Sequence, residues 1–267
     1  MKKLTRVFLA VILVLCFVGC SKNSTNPLAS EVYQKTIDEM AKAGVGEVTV
    51  EADINMVIEG ESQNIKMDMI IRSENPNETD INKTRIMTTI KTTVMGLVVD
   101  VEYCIYDGNM YMSVFGKKLY GGIKQMGELF GQSLEPVTGI QKPLGNEMDF
   151  IKGAKFSELS DGSYQYIIKI TDQKVISEIL SQTTISNTLV GEMDMKIEQF
   201  IMTMVVNKDY HIESQNIDMK VKIKDVGQEV TADYILKITF NNIGQPTVVD
   251  FPDFSEYEHY SIMSTIN

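Results

Sequence analysis

Few side chains in this sequence are spaced for chemistry. The 267-residue chain has two histidines, His211 and His259, and both stand in polar settings that predict exposure. No His-Glu-x-x-His, Gly-x-Ser-x-Gly, Cys-x-x-Cys or glycine-rich phosphate loop occurs. Hydrolysis would therefore have to rest on carboxylates or a Ser-Lys pair. The Asp and Glu residues, however, fall on the wet sides of alternating strands. Asp253, Glu256 and Glu258 form the densest acidic group, which reads as a solvated tail in preference to a metal site. Cys104 sits in an apolar strand, where a buried, inert thiol is the simpler reading. The expectation is a protein that is not an enzyme, with no metal and no cofactor.

Cys20 has a different chemistry. Lys2, Lys3 and Arg6 precede an unbroken apolar run from Val7 to Val18. Such a run suits an export signal and falls short of the roughly 20 residues a membrane span needs. It ends in Phe17-Val18-Gly19-Cys20. This resembles the lipobox of bacterial lipoproteins, whose cysteine is lipidated and becomes the new N-terminus, although Phe17 stands where Leu is usual. Cys16 is a poorer candidate, because bulky Leu15 precedes it. The alternatives are a buried N-terminal helix and a secretory signal cut without lipidation. The resemblance implies a signal at 1–19, a lipid on Cys20, and anchorage to the extracytoplasmic face of the cell membrane. Residues 20–27 then form the lipidated end and a tether. The seven residues Ser21 to Pro27 reach at most about 25 Å.

Loss of the three signal cations takes the formal charge of −11 to −14. No basic stripe offsets it, so nucleic acid is excluded as a partner. Roughly 250 residues remain, enough to bury a substantial core.

The elements follow from periodicity. Ser30 can cap a helix with Val32, Tyr33, Thr36, Ile37 and Met40 on one face, stopped by Gly44. From Glu47 the period becomes two: Val48, Val50, Ala52, Ile54 and Met56 alternate with polar residues, then Ile65, Met67, Met69 and Ile71. Strands are expected at 85–95, 97–106, 110–115, 155–159 and 164–170. Between 121 and 152 the pattern loosens, and Ile123 and Met126 have helical spacing. A further helix is expected from Asp172. Met202 and Met204, then Met219 and Val221 against Lys220 and Lys222, then Val230 to Phe240, mark three more strands, with a short last one ending at Phe251-Pro252. The string Glu-Ser-Gln-Asn-Ile recurs at Glu61 and Glu213, which leaves a duplicated half open.

About ten one-face-apolar strands would make a flat sheet roughly 48 Å across. Two or three helices, each roughly 10 Å wide, could not cover that sheet. The expected fold is α+β: a strongly curved antiparallel half-barrel of nine to eleven strands wrapping two or three helices. One such domain would span 28–255, followed by a polar tail at 256–267. The order of elements, Tyr103-Cys104-Ile105-Tyr106-Asp107-Gly108-Asn109-Met110-Tyr111-Met112, and Val249-Asp250-Phe251-Pro252 resemble the LolA, LolB and LppX half-barrel lipoproteins. They are closer still to the uncharacterised Gram-positive lipoproteins assigned to that fold. The resemblance implies a lipid or other hydrophobic ligand in the concave face.

The methionines are the candidate ligand contacts. The chain has 17 of them and no tryptophan. Met67/Met69, Met110/Met112, Met193/Met195 and Met202/Met204 are spaced by two, so each pair shares a strand face. Unbranched, polarizable side chains suit irregular apolar ligands, and they equally suit ordinary core filling. Two functions therefore stand: a carrier or sensor of a hydrophobic ligand, or a structural envelope lipoprotein with a filled core and a protein partner.

Overall fold

The computed structural model describes residues 26–58, 60–78, 80–123, 125–126, 151, 153–170, 194–225 and 228–260, the side chains of 194, 195, 224, 225 and 228 excepted. The signal, Cys20, the expected helix from Asp172, and Met193 lie outside them. So does the side chain of Met195.

Helix α1 (Pro27–Ala43) begins three residues before Ser30. Asn26 caps it, its side-chain oxygen accepting from the Leu28 N–H at 3.0 Å. Pro27 takes the first helical position, where a missing N–H costs nothing. Gly44 ends the helix with φ +66°.

The strands are β1 (Val45–Ile58), β2 (Glu61–Ser73), β3 (Ile86–Val94), β4 (Leu97–Tyr106), β5 (Asn109–Val114), β6 (Lys117–Gly122), β7 (Lys155–Glu158), β8 (Tyr164–Ile170), β9 (Asp194–Val206), β10 (Ile212–Asp225), β11 (Gln228–Ile243) and β12 (Glu258–His259). They form one twelve-stranded sheet in the order β12-β6-β5-β4-β3-β2-β1-β11-β10-β9-β8-β7.

This corrects the expected fold. The described residues alone hold twelve strands, where nine to eleven were expected. The sheet is mixed, because β12 runs parallel to β6, and β12 and β7 are unjoined edges. Among the described residues α1 is the one long helix, where two or three were expected. The miscount has a physical origin. Lys117-Lys118 and Gly121-Gly122 hide the alternation of β6, and two residues are too few for β12 to show any. The strand expected to end at Phe251 is irregular backbone.

The described residues gather into two compact units. The described residues of unit one fall within the spans Met1–Ala41, Ala52–Ile65 and Gln141–Thr239, and those of unit two within Lys42–Glu51, Lys66–Ile140 and Phe240–Asn267. In unit one, alternation sets burial as expected. Met219 and Val221 are buried, while Lys220 and Lys222 face outward and pair with Asp233 at 3.3 Å and Glu229 at 2.6 Å. Helix α1 docks through Tyr33, edge-on to Tyr166 at 6.1 Å. The buried Tyr166 hydroxyl donates to the Ala29 carbonyl at 2.7 Å, and burial pushes its pKa well up. Tyr166→Phe should remove that hydrogen bond and cost about 1 kcal/mol in urea unfolding. An unchanged midpoint would show that the contact holds nothing.

In unit two the sheet is covered on both faces, as the adjacent burial of Cys104 and Ile105 requires. Tyr106, Tyr111 and Tyr120 lie on the Cys104 face and meet Phe251, Phe254 and Tyr257; Tyr111 stacks on Phe254 at 4.0 Å and on Tyr120 at 5.5 Å. Asp253 caps the 3-10 turn Phe254–Glu256 by accepting from the Ser255 N–H, and Glu256 pairs with Lys118. The Tyr260 N–H then donates to the Tyr120 carbonyl at 2.7 Å. The start of the expected polar tail is thus docked, through Tyr257 and β12.

Candidate functional site

Register builds a candidate site on the other face of unit two. Residues directly opposite on neighbouring strands point the same way. Ile86, Ile105, Met110 and Gly121 therefore make one row across β3 to β6, and Thr88, Tyr103, Met112 and Leu119 the next. Met126 seats on these rows and clusters with Met110 and Met112, with Tyr103, Val114, Ile123 and Tyr260 packed round it. Gly121 makes the room: a Cβ there would stand 3.3 Å from the Met126 sulfur. Residues 123, 125 and 126 are helical, as their spacing predicted.

Of the predicted contacts, Met67, Met69, Met110, Met112, Met202 and Met204 are all buried. Met110 and Met112 are brought together. Met67 and Met69 belong to the same unit, on β2. Met202 and Met204 lie in unit one, opposite Ile168 and Tyr166 on β8 and Ile217 and Gln215 on β10. Their surroundings are a strand core. The Met195 backbone, on β9, is opposite Ile223 of β10.

One residue of the site was not singled out from the sequence. Thr88 is 1% exposed, and among the described residues its hydroxyl has no hydrogen-bond partner. A buried hydroxyl without a partner costs about 1–3 kcal/mol, so natural cores rarely keep one. The run Met87-Thr88-Thr89-Ile90-Lys91-Thr92-Thr93 places threonine at both parities, which hides the inward one. Gln63 Oε1 is the other such atom among the described residues, and it belongs to unit one.

Among the described residues neither the cysteine nor a histidine lies on these rows. Burial, and then Glu102, push the Cys104 thiol up to about 12, and it points to the opposite face. His211 is half-buried at the 207–211 turn, its N–H donating to the Asn207 side chain at 2.9 Å. His259 is exposed and edge-on to Tyr120 at 5.1 Å. Among the described residues no three His, Cys, Asp or Glu are grouped to hold a metal, and no helix is long and apolar enough to cross a membrane.

The model of DUF6612, a family of unknown function, matches residues 28–253. The chain belongs to DUF6612. No curated protein matches this DUF6612 chain. Among solved structures it is similar to LprF from Mycobacterium bovis, at 14% identity over 86% of this chain and 99% of that one, with a TM-score of 0.41. It is also similar to a DUF1329 family protein from Desulfovibrio piger, at 10% identity over 81% and 94% of the two chains, with a TM-score of 0.27.

Proposed function

We propose that this DUF6612 protein is a membrane-anchored extracytoplasmic lipoprotein that binds a lipid or another amphiphile, with no catalytic role. The lipobox-like Phe17-Val18-Gly19-Cys20 supports the anchor. The observation that carries the binding reading is Thr88, a buried hydroxyl without a partner among the described residues, on a face furnished with Met110, Met112 and Met126. A ligand with an apolar chain and a hydrogen-bonding head supplies what that face lacks. The adaptable methionines take the chain, and Thr88 takes the head. A structural lipoprotein with a protein partner is the second reading. It is favoured by Met126 packing directly on Met110 and Met112.

Mass spectrometry of organic extracts from the purified protein separates the two. A lipid at a stoichiometric level supports binding. Thr88→Val then removes the hydroxyl at nearly constant shape, so affinity for that lipid should fall about three- to tenfold. The folded protein should be no less stable. No extracted lipid, together with a Thr88→Val protein that is simply more stable, would leave the structural reading.

A further inference from the structure

Two hairpin ends in unit two carry side chains that a water-facing turn does not call for. Met95, Leu97 and Val98 at the β3–β4 end are 75%, 73% and 52% exposed, and Phe115 at the β5–β6 end is 79% exposed. Met95 and Phe115 have φ of 52° and 50°, followed by Gly96 and Gly116 at 81° and 74°. This is the two-residue hairpin geometry whose first position favours Asn, Asp or Gly. The β4–β5 turn of the same unit obeys that preference with Asp107-Gly108, at φ 48° and 75°. At the other two turns a large apolar side chain is held in a strained conformation, and it is left at least three-quarters exposed.

Antiparallel order puts these two turns at one end of the unit and Asp107-Gly108 at the other. Because Val101 is opposite Val114, the β3–β4 hairpin overhangs its neighbour by Leu97 to Asp100, roughly 13 Å. The apolar residues thus form two separate projecting knobs. They do not line a groove, and knobs at unequal heights suit a fluid, deformable surface better than a rigid protein partner. Lys117 and Lys118 come just after Phe115-Gly116, in a chain of net charge −11. Lys117 is exposed, a cation placed behind an apolar tip where anionic lipid headgroups would lie. The lipid expected on Cys20 would bring the whole chain to a membrane.

We infer that the β3–β4 and β5–β6 hairpin tips dip into the lipid bilayer surface through Met95, Leu97, Val98 and Phe115, with Lys117 at the headgroups. This contact is separate from any bound ligand, and lipid extraction of the same samples reports the ligand independently.

The chain has no tryptophan, so a single introduced indole reports its own surroundings. Phe115→Trp and Met95→Trp each place one at a tip. Val248→Trp, at a residue of the same unit that is 92% exposed, is the control. Each intact, processed protein is mixed with phosphatidylcholine–phosphatidylglycerol vesicles, with and without brominated acyl chains. Both tip indoles should shift to the blue and lose most of their emission to the brominated lipid, while the control stays red and unquenched. Unshifted, unquenched tips would overturn the inference. So would equal quenching of all three positions, or a blue shift on concentrating the protein without vesicles, which would assign the tips to a second copy.

Discussion

Gly44→Ala is expected to lower stability by about 2–5 kcal/mol, read as a drop in the urea midpoint. Gly44 closes α1 at φ +66°, and a Cβ there would stand 2.3 Å from the Asn77 side-chain oxygen and 2.7 Å from the Pro76 carbonyl oxygen. The side chain can turn away, but the carbonyl belongs to the backbone of the 76–77 turn. The Gly44 carbonyl also accepts from the Gly244 N–H at 3.0 Å, so any shift is felt there too. Gly116→Ala is the control. Its φ is +74°, and nothing lies within 4 Å of the added atom, so only the backbone cost of about 1 kcal/mol remains. Equal losses at the two positions would mean that the close approach at Gly44 contributes nothing.

Deleting residues 251–267 is expected to turn Cys104 from an inert thiol into a reactive one. The thiol is held by burial at about 12, above its ordinary value of 9.0, and the face it points to is covered by Phe254 and Tyr257. Removing that cover returns the thiol to water, and labelling by a disulfide reagent at neutral pH should rise by orders of magnitude. The intact protein should resist labelling until it unfolds in alkali. The direction follows from linkage: a thiol whose folded pKa is raised keeps its proton in the fold while the unfolded chain gives it up. Its contribution is complete below pH 9 and is lost as pH climbs towards 12, by about 1.4 kcal/mol per unit. Tyr257, pushed up to about 12 mainly by burial and then by Glu102, is lost in the same direction. Rapid labelling of the intact protein at neutral pH would show that the C-terminal cover opens freely.

The methionine pairs show how far periodicity reaches. Spacing by two placed Met67, Met69, Met110, Met112, Met202 and Met204 inward, and all six are buried. It could not sort them into separate surroundings, because strand neighbours come from distant parts of the chain. Met202 lies opposite Ile168 through a pairing of β9 with β8, whereas Met112 meets Met126 only because a short helical segment folds back over Gly121.

The sequence by itself determined the long strands and their inward faces, since a period of two leaves one arrangement that buries Met219 and exposes Lys220. It also carries the lipobox-like motif, a local pattern that needs no fold. Tertiary structure alone decided that Cys104 and Ile105 are buried side by side. Their strand has a cover on each face, and one of those covers comes from Phe251 to Tyr257 at the far end of the chain. It likewise decided that Thr88 and not Thr89 lies inward. Two threonines in a row carry no periodic signal, and only pairing with Tyr103 on β4 fixes which hydroxyl is shut away from water.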